Sequence, residues 1–160
     1  GPMSLLPPGS CDTHLHLFGY IARYRLRDEN PLYQLDPAWT MESLAAMHAS
    51  LGITRYVAVQ PTVYASDHSC MIDALAAEKP DTARGIAIID DTIDDKTIAR
   101  MHEVGVRGAR FNFQSRFGLV PSFEEFHRSV ARIRAYGWII KIFVMDELPI
   151  FLQCQLLPLF

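Results

Sequence analysis

Cys11-Asp12-Thr13-His14-Leu15-His16-Leu17-Phe18 is the stretch around which the rest of the chain is organised. It is short, apolar between its polar residues and free of proline, so it reads as a buried strand. Side chains alternate along a strand, which predicts Asp12, His14 and His16 on one face and Thr13, Leu15 and Leu17 on the other. Two imidazoles on one face can converge on one ion or one substrate group. Neutral imidazole nitrogen is a good ligand for zinc and also gives or takes protons near neutral pH. The alternative is two strand-end histidines, each satisfied by its own hydrogen bond. Asp12 and the buried-strand setting favour a functional pair.

Outward from this strand, Gly19 to Pro37 is long for a connection and carries Tyr20, Tyr24, Tyr33, Arg23, Arg25 and Arg27. Long loops in compact domains are often functional, although most of these charges fit a solvated surface. Thr40 is placed as the N-cap of a helix whose inner face is Met41, Leu44, Ala45, Met47, His48 and Leu51. Arg55 to Gln60 reads as a strand. Ser66 or Asp67 is expected to cap the next helix, with Met71, Ile72, Leu75 and Ala76 inward. Gly85 to Ile89 is an aliphatic strand suited to cover on both faces. Asp94-Asp95 opens a third helix, where carboxylates suit the positive end of the helix dipole. Val106 to Asn112 is a fourth strand, and Pro121-Ser122 starts a helix with Phe123, Phe126, Val130 and Ile133 inward. Trp138 to Val144 is a fifth strand, and Asp146-Glu147 begins a further helix. His48, His102 and His127 fall on helices and read as packing or surface residues.

Leu51-Gly52, Val104-Gly105 and Tyr136-Gly137 repeat one design, a helix closed by glycine that leads straight into a strand. Such repeats build a parallel sheet through right-handed crossovers. The class is therefore α/β. A doubly wound sheet satisfies the element count, whereas a complete (β/α)8 barrel needs about 250 residues.

Composition narrows the function classes. The chain has 160 residues, of which 49% are hydrophobic and 21% charged, with net charge −3. This balance gives no electrostatic footprint for nucleic acid. No apolar run approaches the roughly 20 residues that span a bilayer. Gly1-Pro2 ahead of Met3 reads as a protease-cleavage scar, so residues 1–9 are set apart from a domain over 10–160. No secretion signal is evident, and Cys11, Cys70 and Cys154 are far apart, which points to reduced thiols and a cytoplasmic protein.

Three stretches together resemble the amidohydrolase superfamily, in the branch of the pyrone-dicarboxylate lactonases. Asp12-Thr13-His14-Leu15-His16 is similar to its D-x-H-x-H on the first barrel strand. Val59-Gln60-Pro61-Thr62-Val63-Tyr64-Ala65-Ser66-Asp67 resembles V-Q-P-S-x-Y-G-x-D. Val106-Arg107-Gly108-Ala109-Arg110-Phe111-Asn112-Phe113, followed by Arg116, resembles G-V-R-G-x-R-F-N. The resemblance implies a (β/α)8 barrel, of which about the first five βα units are present, with chemistry at the C-terminal strand ends. It implies catalytic roles for His14 and His16, and substrate-carboxylate binding by Arg110 and Arg116, whose guanidinium groups form planar two-bond forks. Asn112 and Thr62 would orient a substrate carbonyl, and Tyr64 would donate a hydrogen bond or pack at the rim.

The implied reaction is lactone opening by water, on a small anionic substrate and without a metal cofactor. The alternative on the same barrel is a hydrolase or decarboxylase in which His14 and His16 hold zinc or another divalent ion. The branch's third histidine and strand-eight aspartate have no counterpart before residue 160. By itself the chain is therefore expected to fall short of the full reaction, and a non-catalytic, self-associating half-barrel with exposed sheet edges is a third reading. Ala65 replaces a glycine, His68 an asparagine and Phe143 a tyrosine of the resembled pattern. Lys141 shares the parity of Phe143. It either points inward against a carboxylate such as Asp12 or snorkels outward.

Overall fold

The computed structural model describes residues 6–27, 34–114 and 120–144. The elements run β1 (Cys11–Leu15), α1 (Met41–Leu51), β2 (Arg55–Val59), a 3-10 turn (Thr62–Tyr64), α2 (Ser69–Ala77), β3 (Ala83–Ile88), α3 (Asp95–Val104), β4 (Val106–Asn112), α4 (Phe123–Arg134) and β5 (Ile139–Phe143). The expected helix at Asp146-Glu147 lies outside the described residues. No helix among the described residues is long and apolar enough to cross a membrane.

Local signals set the helix limits. Thr40 and Ser43 form a reciprocal capping box at the start of α1. Asp94 and Ser122 accept the backbone N–H of Thr97 and Glu125 at the starts of α3 and α4. Gly52, Gly105 and Gly137 all take positive φ, as their places behind helices require. At α2 the expected cap is displaced. His68 occupies the N-cap without a side-chain cap bond, while Asp67 Oδ1 accepts the Ser69 N–H at 3.0 Å.

All strands are parallel and the sheet order is β1-β2-β3-β4-β5. A doubly wound sheet reverses its strand order part-way; this one winds in one direction only. It also curls. In a flat sheet β1 and β5 would stand about 19 Å apart, four spacings of about 4.8 Å. Yet Lys141 Nζ on β5 lies 2.9 Å from His14 Nδ1 on β1. Side chains of that reach meet only across a concave surface, so the five strands form an arc of a (β/α) barrel.

The core lies between the sheet's convex face and the helices. Ala58, Ala87, Ala109 and Phe111 meet Met71 and Leu75 of α2, Ile98 and Met101 of α3, and Phe126 and Ile133 of α4 in one buried cluster. Phe111 and Phe126 pack edge to face with centroids 4.8 Å apart. Three expected inner faces are only partly inner, and on α2 it is Ala76 that is exposed. Phe123 is 46% exposed and Met47 47% exposed. Phe123 stands in the first turn of α4 beside Phe113 rather than beneath the helix. α1 flanks the edge strand β1, and of its residues only His48 is buried.

The β1 stretch departs most from simple alternation. Cys11 and Asp12 pair with Arg55 and Tyr56, but Leu15 pairs with Ala58. Thr13 and His14 thus stand against Val57 alone, which is a β-bulge. The bulge puts Asp12 on the helix-facing side with Tyr56, while His14 and His16 face the concavity. The expectation of Asp12 on the histidine face is therefore corrected; of the two alternatives for Lys141 the inward one holds, with His14 rather than Asp12 as its partner.

Candidate active site at the strand ends

His14 and His16 sit with ring centroids 5.3 Å apart and planes at 84°. Each ring has one nitrogen engaged. His16 Nδ1 lies 2.7 Å from the Val59 carbonyl oxygen. A carbonyl only accepts, so Nδ1 carries the proton and donates. His14 Nδ1 lies 2.9 Å from Lys141 Nζ. An ammonium only donates, so His14 Nδ1 accepts. Both imidazoles are held below the ordinary 6.5. For His14 the causes are burial first and then the Lys141 charge; for His16 burial leads, with Arg110 and Lys141 adding to it against the Val59 bond. At neutral pH both rings are neutral.

Asp12 works behind this pair. Its Oδ1 accepts the His14 backbone N–H at 3.2 Å, and its Oδ2 lies 3.0 Å from Nε2 of the buried His48 on α1. One carboxylate thereby ties the bulge to the outer helix. His48 is a packing residue, as expected.

β4 contributes Arg110, which is 9% exposed, and Asn112. The Arg110 guanidinium lies 5.9 Å from the Phe143 ring centroid and Lys141 Nζ lies 5.6 Å from it, so one aromatic ring steadies both cations. Burial, and then the Arg110 charge, push the Lys141 ammonium below its usual range. Next to this group a cavity of about 280 Å³ is lined by Arg27, Thr62, Ser66, Arg110, Asn112 and Glu125, among others. Asn112 Oδ1 accepts the Gln114 N–H at 2.9 Å, leaving its amide nitrogen as the group it can present.

Tyr64 stands elsewhere. It is buried, packs on Phe18 and accepts the Gly19 N–H at 3.2 Å. Arg116 lies outside the described residues. Sequence reasoning assigned no site role to Lys141, and none to Gln60. The Gln60 amide is fully buried and donates to the Ala65 and Asp67 carbonyls, holding the β2–α2 loop over the cavity. The signals that marked it are its place in the V-Q-P block and a glutamine at a strand end ahead of a proline-started turn.

This placement, with an H-x-H pair on the first strand and an arginine on the fourth at the C-terminal rim of a parallel arc, coincides with a family match. The family model described as amidohydrolase matches residues 11–153. The chain belongs to the amidohydrolase family. It is 32% identical over 142 residues to 2-pyrone-4,6-dicarboxylate hydrolase of Comamonas testosteroni, covering 89% of this chain and 46% of that protein. It is 33% identical over 146 residues to 4-sulfomuconolactone hydrolase of Rhizobium radiobacter, covering 89% and 48%. This amidohydrolase chain thus spans about half the length of the curated relatives it matches. Among solved structures it is similar to Agrobacterium tumefaciens ATU3138, with a TM-score of 0.74 and 25% identity over 95% of this chain and 53% of that one. A Pseudomonas putida protein, provisionally assigned as a 2-pyrone-4,6-dicarboxylic acid hydrolase, shares the fold with a TM-score of 0.76 at 23% identity, over 96% and 55%.

Proposed function

We propose that this amidohydrolase site serves the opening of a small carboxylated lactone by water. The observation that carries the reading is the charge arrangement. Arg110 and Lys141 converge on the same concave mouth as two neutral imidazoles, while Asp12, the acid of the motif, is turned away to His48. Such a mouth favours an anion. The relatives' names point the same way, since a pyrone dicarboxylate and a sulfomuconolactone are both lactones that carry acidic groups.

In this reading Arg110 grips a substrate carboxylate as a fork, and Thr62 and Asn112 orient the same end of the ring. Water oxygen bonds to the ring carbonyl carbon, the carbonyl oxygen gains negative charge, and the ring C–O bond then breaks. One of the water's protons goes to the leaving ring oxygen, the other passes to solvent as the new acid ionises, and a carboxylate remains. In this reading the His14 imidazole donates to the charged oxygen, with the Lys141 ammonium adding positive charge behind it.

Among the described residues the zinc alternative meets a donor set that does not fit it. Two imidazoles supply two of the three protein ligands usual for catalytic zinc. No group of three His, Cys, Asp or Glu side chains able to hold a metal occurs among the described residues. Lys141 and Arg110 also set like charge against a dication.

The test is calorimetric titration of the chain with a pyrone dicarboxylate and with its dimethyl ester, together with loss of the ring absorbance. The acid is expected to bind about tenfold or more tightly than the ester. Equal binding of the two overturns the anion reading. Activity that appears only on adding zinc overturns the metal-free one.

A further inference from the structure

We propose that Lys141 is a positioning residue that fixes His14 in the tautomer opposite to that of His16, so that the pair offers the concave face of the sheet one N–H donor and one lone pair. The geometry has two halves. Val59 takes the Nδ1 proton of His16 at 2.7 Å, so a neutral His16 keeps its lone pair on Nε2. Lys141 donates to His14 Nδ1 at 2.9 Å, so a neutral His14 carries its proton on Nε2. The two ring-nitrogen partners differ in kind, an acceptor for one ring and a donor for the other, although the histidines are two residues apart on one strand.

The consequences are chemical. Two histidines that chelate a metal through Nε2 both need a lone pair there, and both usually donate through Nδ1 to a neighbouring oxygen. His16 meets that requirement and His14 does not. The pair is instead suited to a carbonyl and a water together. His14 Nε2–H can donate to the oxygen on which negative charge develops, and His16 Nε2 can hold a water by one of its hydrogens. Lys141 is kept in reach by the Phe143 ring on the same strand face, 5.6 Å from its Nζ. The role assigned to the carbonyl oxygen rests on the lactonase reading; the tautomers do not.

The experiment is long-range proton–nitrogen correlation on the chain labelled with 15N-histidine, at neutral pH, with His14→Gln and His16→Gln used for assignment. His14 is expected as the Nε2–H form and His16 as the Nδ1–H form. An Nδ1–H signal for His14 in the unaltered chain overturns the proposal without reference to any variant. In Lys141→Met the His14 pattern is expected to shift towards Nδ1–H while His16 stays unchanged and reports that the fold is intact. Lys141→Arg, which still donates, is expected to restore the parent pattern. Zinc titrated into Lys141→Met is expected to bind about tenfold more tightly than to the parent. An unchanged His14 pattern in Lys141→Met also overturns the assignment. Absence of lactone binding alongside the expected tautomers would defeat the lactonase reading and leave this one standing.

Discussion

The two flanks of the sheet are held by different chemistry. On the β1–β2 flank imidazoles hold the backbone. His48 meets Asp12 behind the bulge, and the buried His68 donates through Nδ1 to the Ser66 carbonyl while its Nε2 accepts the Ile88 N–H at 3.0 Å. On the β3–β4 flank guanidinium–carboxylate pairs do so, with Arg128 on Asp91 and Arg132 on Asp95 tying α4 to the β3–α3 connection. The strands differ as well. β4 also carries a bulge, opposite Gly85 and Ile86, but it lies at the strand's foot, and from Gly108 to Asn112 the pairing is regular. In β1 the bulge lies inside the motif. Alternation read from sequence therefore serves Arg110 and Asn112 and fails at Asp12. An extra residue matters only when it falls between the side chains being compared.

The largest effect expected is on the regular strand. Arg110→Met should weaken binding of a carboxylated lactone about a hundredfold, or ~3 kcal/mol, with Arg110→Lys between the two because a point charge replaces a fork. Titration calorimetry decides this, and a lysine variant equal to the parent would remove the fork from the account.

Acid should separate the flanks. Burial holds the His68 imidazole down at about 4, against 6.5 when exposed. The unfolded chain takes a proton that the folded chain refuses, so stability is full above 6.5 and falls as pH drops towards 4, by up to about 3 kcal/mol. The Asp91 carboxyl is held below 3.8, chiefly by its hydrogen bond from Arg128, so that pair persists until the pH falls further. Amide exchange followed against pH should therefore show Ile88 losing protection before the α4 connection does. In His68→Asn the stability loss between pH 6.5 and 4 should flatten.

Asp12→Ala should cost about 2 kcal/mol in chemical denaturation, because it strands the His48 ring and the His14 N–H together. Arg128→Ala, on an exposed pair of the other flank, should be hard to tell from the parent. Equal losses would show the two flanks to be held alike. The smallest change is a gain. Ala65 has φ 47° and ψ −121°, a conformation suited to glycine, at a position where the resembled pattern has glycine. Ala65→Gly should stabilise by about 1 kcal/mol in the same denaturation experiment, the relief of strain exceeding the added freedom of the unfolded chain.

Much of the architecture was legible because it is written locally. The three helix-closing glycines and the caps at Thr40, Asp94 and Ser122 need only neighbours a few residues away. The outward Phe111 and inward Arg110 follow from alternation on a regular strand. What stayed hidden depends on distant partners. The β1 bulge is set by its register with β2 and by a carboxylate that answers to α1. The direction of Lys141 follows from the curl, which brings a strand four places away within reach of His14. Tyr64, ambiguous between donor and packing residue in sequence, is buried against Phe18 and accepts the Gly19 N–H, a partner 45 residues away in the chain.

Gly108 sits one layer beneath Arg110 on the same face of β4. A Cβ there would come within 2.7 Å of Ile86 on one side and Ile139 on the other. The bare backbone lets the two isoleucines close in under the guanidinium as an oily floor. For the lactone proposed above, that floor would act as a depth stop directly beneath Arg110. Enlarging residue 108 would push Ile86 and Ile139 apart and lift or tilt that floor.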